Sequence, residues 1–479
     1  MSENSWPESD SFSKFSSDGT FAAALPEDEF EFTIDPAFLQ GLEGRRLKSA
    51  LVLGLLWGGT AMLHQFAWSY WLTTAFSGLM GLHCLRAYAT PARIMAPPLA
   101  ADRQWPLVSL MVAAKNEEAV VDRLVDQLCN LDYPVERYEV WFIDDASTDR
   151  TAAILDQLAL RYPNLRVVHR PSGAGGGKSG ALNEVFSRTM GEFIVVFDAD
   201  AQIDADFLQR SLGAFDRPQV GAVQLRKAII QAETPNHPDA QNFWIQGQQA
   251  EMALDALMRQ HQIVTGGIGE LRGNGQLVRR QALQDCGGWN EETITDDLDL
   301  TLRLHLNDWN IECLTEPAVY EEGVTRAVAL WHQRSRWAEG GYQRYLDYWR
   351  MIVSNRLGTK KTIDLTVFVI MQYVMSMVAV PDMLMSLIMG QPPVFAPLTA
   401  LSFGLFFVCA IRGLRRSRLF LPSTVRREVG WFWAVRQSFV GAVYMAHWLP
   451  VIAYTSARMA VQKKRLKWVK TAHGGSHAS

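Results

Sequence analysis

Two groups of apolar segments enclose a more polar middle part of the chain. The first, residues 49–85, contains no Asp, Glu, Lys or Arg and could form two membrane-spanning helices of about 20 residues each. Basic residues precede it at positions 45, 46 and 48 and follow it at 86 and 93. Because positive residues favour the cytosolic side, a transmembrane hairpin over residues 45–95 is predicted, with no signal peptide. The alternative is a buried helical hairpin in a soluble core.

The second group predicts a C-terminal transmembrane region over residues 360–458. Its apolar segments lie at 363–389, with a break expected at Pro381-Asp382, at 394–411 and at 439–457. A basic cluster follows the second segment, and the stretch up to the next basic cluster is short for two crossings. Either that stretch is partly re-entrant or one cluster lies outside the cytosol, and we expect about five spans in the whole chain.

Charge distinguishes three further parts of the sequence. Basic residues cluster at 412–427 and in a tail at 459–479, either as topology signals or as sites for anionic lipid headgroups. Residues 1–44 are rich in Ser, Asp and Glu and predict a disordered acidic tail.

The five cysteines have no paired spacing, which fits reduced thiols and excludes a zinc site.

The polar middle alternates between strand-like and helix-like runs. Strand-like runs occupy residues 108–113, 138–143, 165–168 and 193–197, and helix-like runs lie between them at 116–128, at 152–162 and from 178. This order predicts an α/β domain over residues 100–330, with a doubly wound and mostly parallel sheet. Ligands bind such sheets at the carboxyl ends of the strands.

Acidic residues follow two of these strands directly. The apolar run 193–197 ends in Asp198 and, one small residue later, Asp200. Since charge at the end of a buried strand needs a partner, this pair predicts a cation that binds phosphate, although two solvated turn carboxylates are the ordinary alternative. Asp144 and Asp145 follow the second strand in the same way, but their segment also suits a helix N-cap.

Three further motifs contain residue types that could bind phosphate, act as a catalytic carboxylate or lie at a membrane surface. Glycines before Lys178 let backbone amides approach a phosphate, yet they also suit a flexible loop. Thr295-Asp296-Asp297 suits a catalytic carboxylate or a helix N-terminus, and the leucine alternation after it leaves strand and helix open. Gln333-Arg334-Ser335-Arg336-Trp337 opens a segment over 331–358 whose rings and arginines are typical of helices at a membrane surface.

These motifs occur in the order found in the membrane-integrated glycosyltransferases of family 2, which the chain resembles over about residues 107–346. The shared motifs are Ala113-Ala114-Lys115-Asn116-Glu117, Asp144-Asp145-Ala146-Ser147-Thr148-Asp149, Asp198-Ala199-Asp200, Thr295-Asp296-Asp297 and Gln333-Arg334-Ser335-Arg336-Trp337. The resemblance implies a GT-A fold that uses a nucleotide-diphosphate sugar, requires Mg²⁺ or Mn²⁺ and inverts the anomeric carbon.

The resemblance also implies a role for each motif. Asp198 and Asp200 would bind the divalent cation, which offsets the charge of the departing diphosphate. Asp297 would be the base that deprotonates the acceptor, while Asp296 stands where the family usually has the longer Glu. The residues implied to hold the donor are Glu117, Asp144, Asp145, Lys178, Gln333, Arg336 and Trp337, with Arg334 as a further cation. Residues 272–275 and 279–280 lie where the family builds its acceptor wall.

The acceptor varies within the family. The acidic start, the early hairpin and the basic tail resemble the glycolipid-forming members, which implies UDP-glucose as donor and 1,2-diacylglycerol of the bilayer as acceptor. Glucose and galactose are not distinguished. A processive polysaccharide synthase of the cellulose or hyaluronan type is one alternative, and a non-catalytic sugar-nucleotide sensor or scaffold is another. We expect an integral membrane protein with a cytosolic catalytic domain, without nucleic acid and without an obligate protein partner.

Overall fold

The computed structural model describes residues 32–89, 96, 105–234, 236–417 and 430–462. The predicted acidic tail lies outside these residues up to position 31, as do the basic tail from 463 onward and part of the basic cluster, residues 418–429. Within the described residues the chain forms a sheet domain that is flanked by long helices on both sides in sequence.

Eight strands form one mixed sheet in the order β3-β2-β1-β4-β7-β6-β8-β5. The strands are β1 (Val108–Ala114), β2 (Tyr138–Asp144), β3 (Leu165–His169), β4 (Phe193–Phe197), β5 (Gln202–Ile203), β6 (Val220–Ile229), β7 (Gln276–Arg279) and β8 (Asn310–Glu321). The first four pair in parallel, with β1 between β2 and β4 and with β3 beside β2. This confirms the predicted α/β sheet and all four strands on which it was based.

The second half of the sheet introduces the antiparallel pairs. Strand β7 runs antiparallel to both β4 and β6, and β5 runs antiparallel to β8, while β6 and β8 are parallel. Six of the eight strands therefore run in one direction. The carboxyl ends of β1, β2, β4, β6 and β8 consequently meet at one edge of the sheet, which is where ligands bind in such folds.

Helices cover both faces of the sheet and continue beyond it. They are α1 (Pro36–Leu39), α2 (Arg45–Leu63), α3 (Ser69–Ala89), α4 (Val121–Cys129), α5 (Thr151–Ala159), α6 (Gly177–Phe186), α7 (Phe207–Ser211), α8 (Ile230–Glu233), α9 (Phe243–Val264), α10 (Arg280–Asp285), α11 (Asp296–Leu306), α12 (Ala327–Val353), α13 (Thr359–Val369), α14 (Met375–Met389), α15 (Ala396–Ser417), α16 (Trp431–Met445) and α17 (Trp448–Val461). Alternate strand residues enter opposite layers of the core, so that Leu110 packs with Leu124 on one face and Met111 with Leu182 on the other.

The leucine run after Asp297 is a helix, α11, which settles the alternative that its alternation left open. Leu300 and Leu304 enter the core layer against the sheet, whereas Leu302 enters a second cluster that includes Tyr342 of α12. A helix that is buried on two sides needs apolar residues on both. Its sequence therefore loses the single-face period of a surface helix.

Two helical segments of the described chain, Thr359–Met389 and Ala396–Ser417, are long and apolar enough to cross a membrane by length and composition. The predicted first hairpin forms α2 and α3, which are joined by a short turn. Large apolar side chains of α2, α3, α14, α15 and α16 are exposed, a pattern typical of helices that face lipid. They include Leu51, Leu55, Trp71, Leu79, Leu387, Ile388, Phe403, Phe432 and Phe439.

The expected helix break at Pro381 is wrong, because α14 continues through this residue. Proline lacks the N–H that would bond the carbonyl of Met377, one turn earlier. Trp57 of α2 takes its place, since its Nε1–H donates to the Met377 carbonyl at 3.2 Å. The π-helical turn Ile370–Val374 joins α13 to α14 without interrupting the long apolar segment.

Polar contacts attach α2 to distant parts of the chain. His64 Nε2 lies 2.8 Å from Asp382 Oδ1 of α14. Arg45 donates two hydrogen bonds to the carboxylate of Asp347 in α12, at 2.7 and 2.6 Å. Near its start, the Ser49 hydroxyl donates to the Ser456 carbonyl of α17 at 3.2 Å. The first long helix is thus held by α12, α14 and α17.

Candidate active site

Asp198 lies directly after β4, at the edge of the sheet where the carboxyl ends of the parallel strands meet. Its Oδ1 accepts a hydrogen bond from Lys178 Nζ at 2.5 Å, and its own N–H donates to Asn274 Oδ1 at 3.2 Å. Burial alone would raise the pKa of Asp198, but the charge of Lys178, supported by Lys227 and Arg336, lowers it. Asp198 is therefore ionised at neutral pH. Buried Asp200 follows in the turn after the strand.

Asp144 and Asp145 lie at the end of β2, next to the loop after β1. Asp144 accepts from the N–H of Ser147 and lies 3.1 Å from His169 Nδ1. Asp145 forms ion pairs with Arg170 at 2.6 Å and with Lys115 at 3.2 Å. Both predicted residues are thus held by neighbouring polar and basic side chains.

The loops after β1 and β2 are cross-linked by short polar contacts. The Asn116 N–H donates to Ser147 Oγ, the Thr148 N–H donates to Asn116 Oδ1, and the N–H of buried Glu117 donates to Thr151 Oγ1. Asn116 has a positive φ, as does Ala146 (φ 55°), a backbone strain that concentrates at functional sites. These contacts hold the loop of Glu117 against the loop that follows β2.

The N-cap alternative for this aspartate segment is met by a different residue. Asp149 Oδ1 accepts from the N–H of Thr151, the first residue of α5, at 3.0 Å. The N-cap position itself is Arg150, which makes no side-chain cap hydrogen bond, so the first N–H of α5 is satisfied by Asp149, and Asp144 and Asp145 stay at the strand end.

Asp296 and Asp297 form the first turn of α11. Thr295 makes no side-chain cap hydrogen bond, and Asp296 Oδ2 is buried without a hydrogen-bond partner. Burial and the neighbouring charge of Asp296 raise the pKa of Asp297 to about 7, against the opposing effect of Lys178 and Lys227. A carboxylate with this pKa can accept a proton near neutral pH.

Gly273 brings the loop before β7 close to the same carboxylate. Its φ is +80°, and a Cβ built there would lie 3.6 Å from Asp297 Oδ2. Gly275 has a φ of +72°, and its Cβ would meet Val319 Cγ1 at 2.7 Å. Residues 272–275 therefore line the site, with glycine required where the backbone approaches β8.

Arg279 and Arg280 lie elsewhere, although the resemblance associated them with residues 272–275. Arg279 is in register with Phe193, the first residue of β4, whereas Asp198 follows its last. Arg279 pairs with Glu192, and Arg280 lies over the ring of Phe186. These two arginines are at the opposite edge of the sheet and support its packing.

Lys227 is a site residue that the sequence did not reveal. Its Nζ lies 2.8 Å from Glu321 Oε2, at the end of β8, and 5.2 Å from the ring centre of Trp337. Burial alone would lower the pKa of Lys227, but the carboxylates of Glu321, Asp198 and Asp297 raise it. Two consecutive basic residues, Arg226 and Lys227, inside a mostly apolar strand were the available signal.

The segment from Gln333 to Trp337 forms part of α12 and reaches the site from the side of β6 and β8. The pKa of Arg336 is lowered by burial, while the charges of Asp198 and Asp297 act in the opposite direction. Trp337 contacts Lys227, and Gln333 Oε1 is buried without a hydrogen-bond partner.

Arg334 differs from the expectation that it would face a diphosphate. Its guanidinium is fully buried and pairs with Glu251 of α9 at 2.6 Å. It also lies 4.0 Å from the ring centre of Trp337. The residue is engaged inside the protein and is not open to a ligand.

The glycine cluster before Lys178 has a backbone role. Gly173, Gly176 and Gly177 have positive φ, and α6 begins directly at Gly177. A Cβ at Gly180 would meet the Gly175 carbonyl oxygen at 2.6 Å. The glycines thus form a tight turn that places Lys178 in the first turn of α6, from which it reaches Asp198.

The acidic edge fits a divalent cation that is bound largely through its substrate. Mg²⁺ usually binds one or two carboxylates together with substrate phosphates and water. Asp198 is ionised and its side chain is 43% exposed, so an oxygen can be offered to a cation. Within the described chain, no group of three or more His, Cys, Asp or Glu side chains is arranged to hold a metal by itself.

The fold and the site are those of a sugar-transferring enzyme. The profile described as Glycosyltransferase like family 2 matches residues 106–340. The solved mannosyltransferase PcManGT from Pyrobaculum calidifontis, determined with GDP-Man and Mn²⁺, shares the fold with a TM-score of 0.51 and 19% identity, over 84% of this chain and 98% of that chain.

Two relatives are similar over nearly their whole length. The beta-monoglucosyldiacylglycerol synthase of Nostoc sp. is 49% identical over 99% of this chain and 100% of its own. The beta-monoglucosyldiacylglycerol synthase of Synechocystis sp. is 52% identical over 92% and 90%, respectively. The chain belongs to glycosyltransferase family 2 and, within it, to the family of these synthases.

Proposed function

We propose that the protein transfers glucose from UDP-glucose to 1,2-diacylglycerol and so forms β-monoglucosyldiacylglycerol. The observation that carries the proposal is the 49% identity, over 99% of the chain, to a protein with the name of that synthase. Convergence of the five family motifs at one sheet edge supports it. The residue types that the proposed reaction requires are all present at these motifs, which argues against a non-catalytic sensor or scaffold.

The donor would lie along the carboxyl edge of the sheet. In this proposal Glu117, Asp144 and Asp145 bind the nucleoside end, in the pocket formed by the loops after β1 and β2. Lys178 and Arg336 face the diphosphate, together with Lys227, while Gln333 and Trp337 complete the wall. These cations suit a ligand with several negative charges.

Asp198 and Asp200 would hold a divalent cation, Mg²⁺ or Mn²⁺. When bound, it supplies positive charge beside the oxygens of the departing diphosphate. Lys178 would add a second positive charge beside the diphosphate. Its 2.5 Å hydrogen bond to Asp198 also keeps that carboxylate ionised.

Asp297 would act as the base. It accepts the proton of the diacylglycerol hydroxyl while that oxygen forms a bond to C1 of glucose. The bond between C1 and the diphosphate oxygen breaks, and UDP leaves with the electron pair. Attack from the face opposite UDP inverts C1, so an α-linked donor gives a β-linked product. The pKa of about 7 for Asp297 matches this role near neutral pH.

The acceptor would reach the site from the bilayer. We propose that α2, α3 and the helices after α12 lie in the membrane, with the sheet domain on the cytosolic side. Exposed apolar side chains on these helices support this arrangement. Diacylglycerol then needs only to expose its hydroxyl at the membrane surface.

The proposal is tested by incubating purified protein with radiolabelled UDP-glucose, Mg²⁺ and vesicles that contain diacylglycerol. Label in a single-sugar lipid of β configuration is the expected result, and it should disappear with a chelator and return with Mg²⁺ or Mn²⁺. Parallel reactions with UDP-galactose identify the sugar. Label in a long insoluble glycan, or no transfer from any UDP-sugar, would contradict the proposal.

A further inference from the structure

Four residues form a buried polar cluster between α9, α12 and the last two helices. Arg334 Nη2 donates to Glu251 Oε2 at 2.6 Å and to Tyr444 Oη at 3.0 Å. Tyr444 Oη donates to the same Glu251 oxygen at 3.1 Å, and Trp448 Nε1 donates to the other at 2.9 Å. We call Glu251, Arg334, Tyr444 and Trp448 the anchor cluster. Both oxygens of Glu251 are thus used by three side chains from three helices.

The anchor cluster adjoins the ring of Trp337. The guanidinium of Arg334 lies 4.0 Å from that ring centre, within the range of a cation–π contact. Lys227 lies 5.2 Å from the same ring, and its charge acts on both Asp198 and Asp297. One continuous set of contacts therefore leads from Glu251 to the acidic edge of the sheet.

Packing fixes the cluster as firmly as hydrogen bonding does. Tyr444 is 1% exposed, and its ring lies so close to Gly247 of α9 that a Cβ there would be 2.2 Å from the ring. Gln437 of α16 donates to the Gln246 carbonyl of α9 at 2.6 Å. The position of Tyr444 is therefore determined, and with it the position of its hydroxyl beside Arg334.

We propose that Glu251, Tyr444 and Trp448 are positioning residues for the donor site, because they fix Arg334 and, through it, the ring of Trp337 against Lys227. The C-terminal helices α16 and α17 then complete a site whose other residues come from the sheet domain. The inference rests on the proposed transfer reaction. It assigns Arg334 a role inside the protein in place of contact with the diphosphate.

Loss of the Tyr444 hydroxyl, which takes part in two hydrogen bonds of the cluster, should disturb the donor site more than the acceptor site. Tyr444→Phe keeps the ring packed against Gly247 and removes only the hydroxyl. We expect it to raise the KM for UDP-glucose and to lower kcat/KM by about tenfold, since a small displacement of a positioning group has effects of this order. The KM for diacylglycerol should stay within about twofold of the wild-type value.

Three further variants define which property of the cluster matters. Glu251→Gln keeps shape but removes the charge that Arg334 requires, so we expect a larger loss than in Tyr444→Phe, about a hundredfold in kcat/KM. Arg334→Lys keeps the charge but not the flat guanidinium over Trp337, and it should rescue little of the activity lost in Arg334→Met.

Glu339 offers a matched control on the same helix. It pairs with Arg458 of α17 and so also joins α12 to the C-terminal helices, but it is not a member of the anchor cluster. Glu339→Gln should leave the KM for UDP-glucose at the wild-type value. Circular dichroism and thermal unfolding of each variant separate loss of position from loss of fold.

The outcomes distinguish this inference from the proposed function. Absence of transfer in the wild-type protein overturns the proposed function. Normal transfer by the wild type together with an unchanged KM for UDP-glucose in folded Tyr444→Phe and Glu251→Gln overturns the positioning role. An equal rise of that KM in Glu339→Gln would also overturn it, because a general loosening of α12 would then explain the effect.

Discussion

Asp297 is the residue at which sequence, burial and charge bear most directly on the proposed reaction. It is placed in the first turn of α11 beside another carboxylate, with Gly273 opposite. Ionising two adjacent carboxylates in a partly buried site is unfavourable, and the pKa of Asp297 rises to about 7 for that reason as well as for burial itself. A proton acceptor of this kind differs from an ordinary surface aspartate.

Asp297→Asn should abolish transfer and preserve the fold. We expect kcat to fall by about a thousandfold, the range of general base catalysis, while UDP still binds in isothermal titration. The raised pKa means that the folded state binds this proton more tightly than the unfolded state does, so the contribution of Asp297 to stability falls as pH rises from about 4 to 7. The variant should therefore melt at pH 8 no lower than the wild type. Undiminished turnover would remove Asp297 as the base.

The pH dependence of the rate provides a second prediction. Because the base must be deprotonated, kcat/KM should fall about tenfold for each pH unit below the pKa of Asp297, which is about 7. Asp296→Asn removes the adjacent negative charge and should therefore shift the acidic limb of the pH–rate profile to lower pH. A profile measured between pH 5 and 9, with protein stability checked at each pH, tests both expectations; an unmoved limb in Asp296→Asn would contradict them.

At the residue scale, motif residues were predictable and their partners were not. Asp198, Asp297 and Lys178 could be proposed as site residues because their types and order carry the signal, and the fold brings Lys178 close to both carboxylates. Lys227 and Glu251 were missed, since each acts through contacts between segments far apart in the chain. Arg334 shows the same limit: its motif located it correctly, but only the fold shows that its charge is directed toward Glu251.

Among the elements, α11 depends on an internal ion pair for its position. Arg303 donates to Asp299 at 2.7 Å within the helix, and Tyr348 of α12 donates to the same carboxylate at 2.9 Å. The Arg303 guanidinium also donates to the carbonyls of Cys286 and Gly288. These contacts thus attach α11, and with it Asp297, to α12 and to the loop between α10 and α11.

Arg303→Met should strongly destabilise the protein. It leaves Asp299 buried without its cation, a change that costs about 3–5 kcal/mol. Arg150→Met is a suitable control, because its pair with Glu118 is solvent-exposed and such pairs contribute about 0–1 kcal/mol. Thermal unfolding in detergent measures both variants, and equal melting temperatures would contradict the structural role of the α11 cluster.

Two local patterns in the sequence share a limit. Alternating leucines left strand and helix open for α11 because both sides of that helix are buried. Pro381 suggested a break, yet Trp57 supplies the missing hydrogen bond from another helix. In each case the local pattern was read correctly, and a neighbouring element changed its meaning.

For the whole molecule, the proposed membrane arrangement predicts which sites are accessible from each side. A cysteine introduced at Trp68, in the turn between α2 and α3, should react with a membrane-impermeant maleimide on intact cells. One introduced at exposed Leu160, after α5 in the sheet domain, should react only after permeabilisation. The five native cysteines are replaced by serine in both variants. Labelling of Leu160→Cys in intact cells would reverse the proposed orientation.

The overall architecture was predictable for its parallel half only. Alternating strands and helices predict that β1 to β4 form a parallel sheet, because a helix joins each strand to the next. They do not predict that β4 pairs with β1, as Val108 does with Phe193. The antiparallel β7 and the distant pairing of β6 with β8 depend on contacts between segments separated by 52 to 92 positions, such as Gln224 with Gln276 and Ile229 with Glu321. No local period encodes such pairings.

The contacts of α2 determine when the molecule can be completed during synthesis. Arg45 must wait for Asp347, 302 positions later, and Ser49 must wait for Ser456, 407 positions later. The first long helix therefore leaves the ribosome long before the residues that it contacts have been synthesised. In the proposed membrane arrangement, the nascent protein must hold that helix in the lipid without its contact to α12 until position 347 has been added, and without its contact to α17 until position 456 has been added.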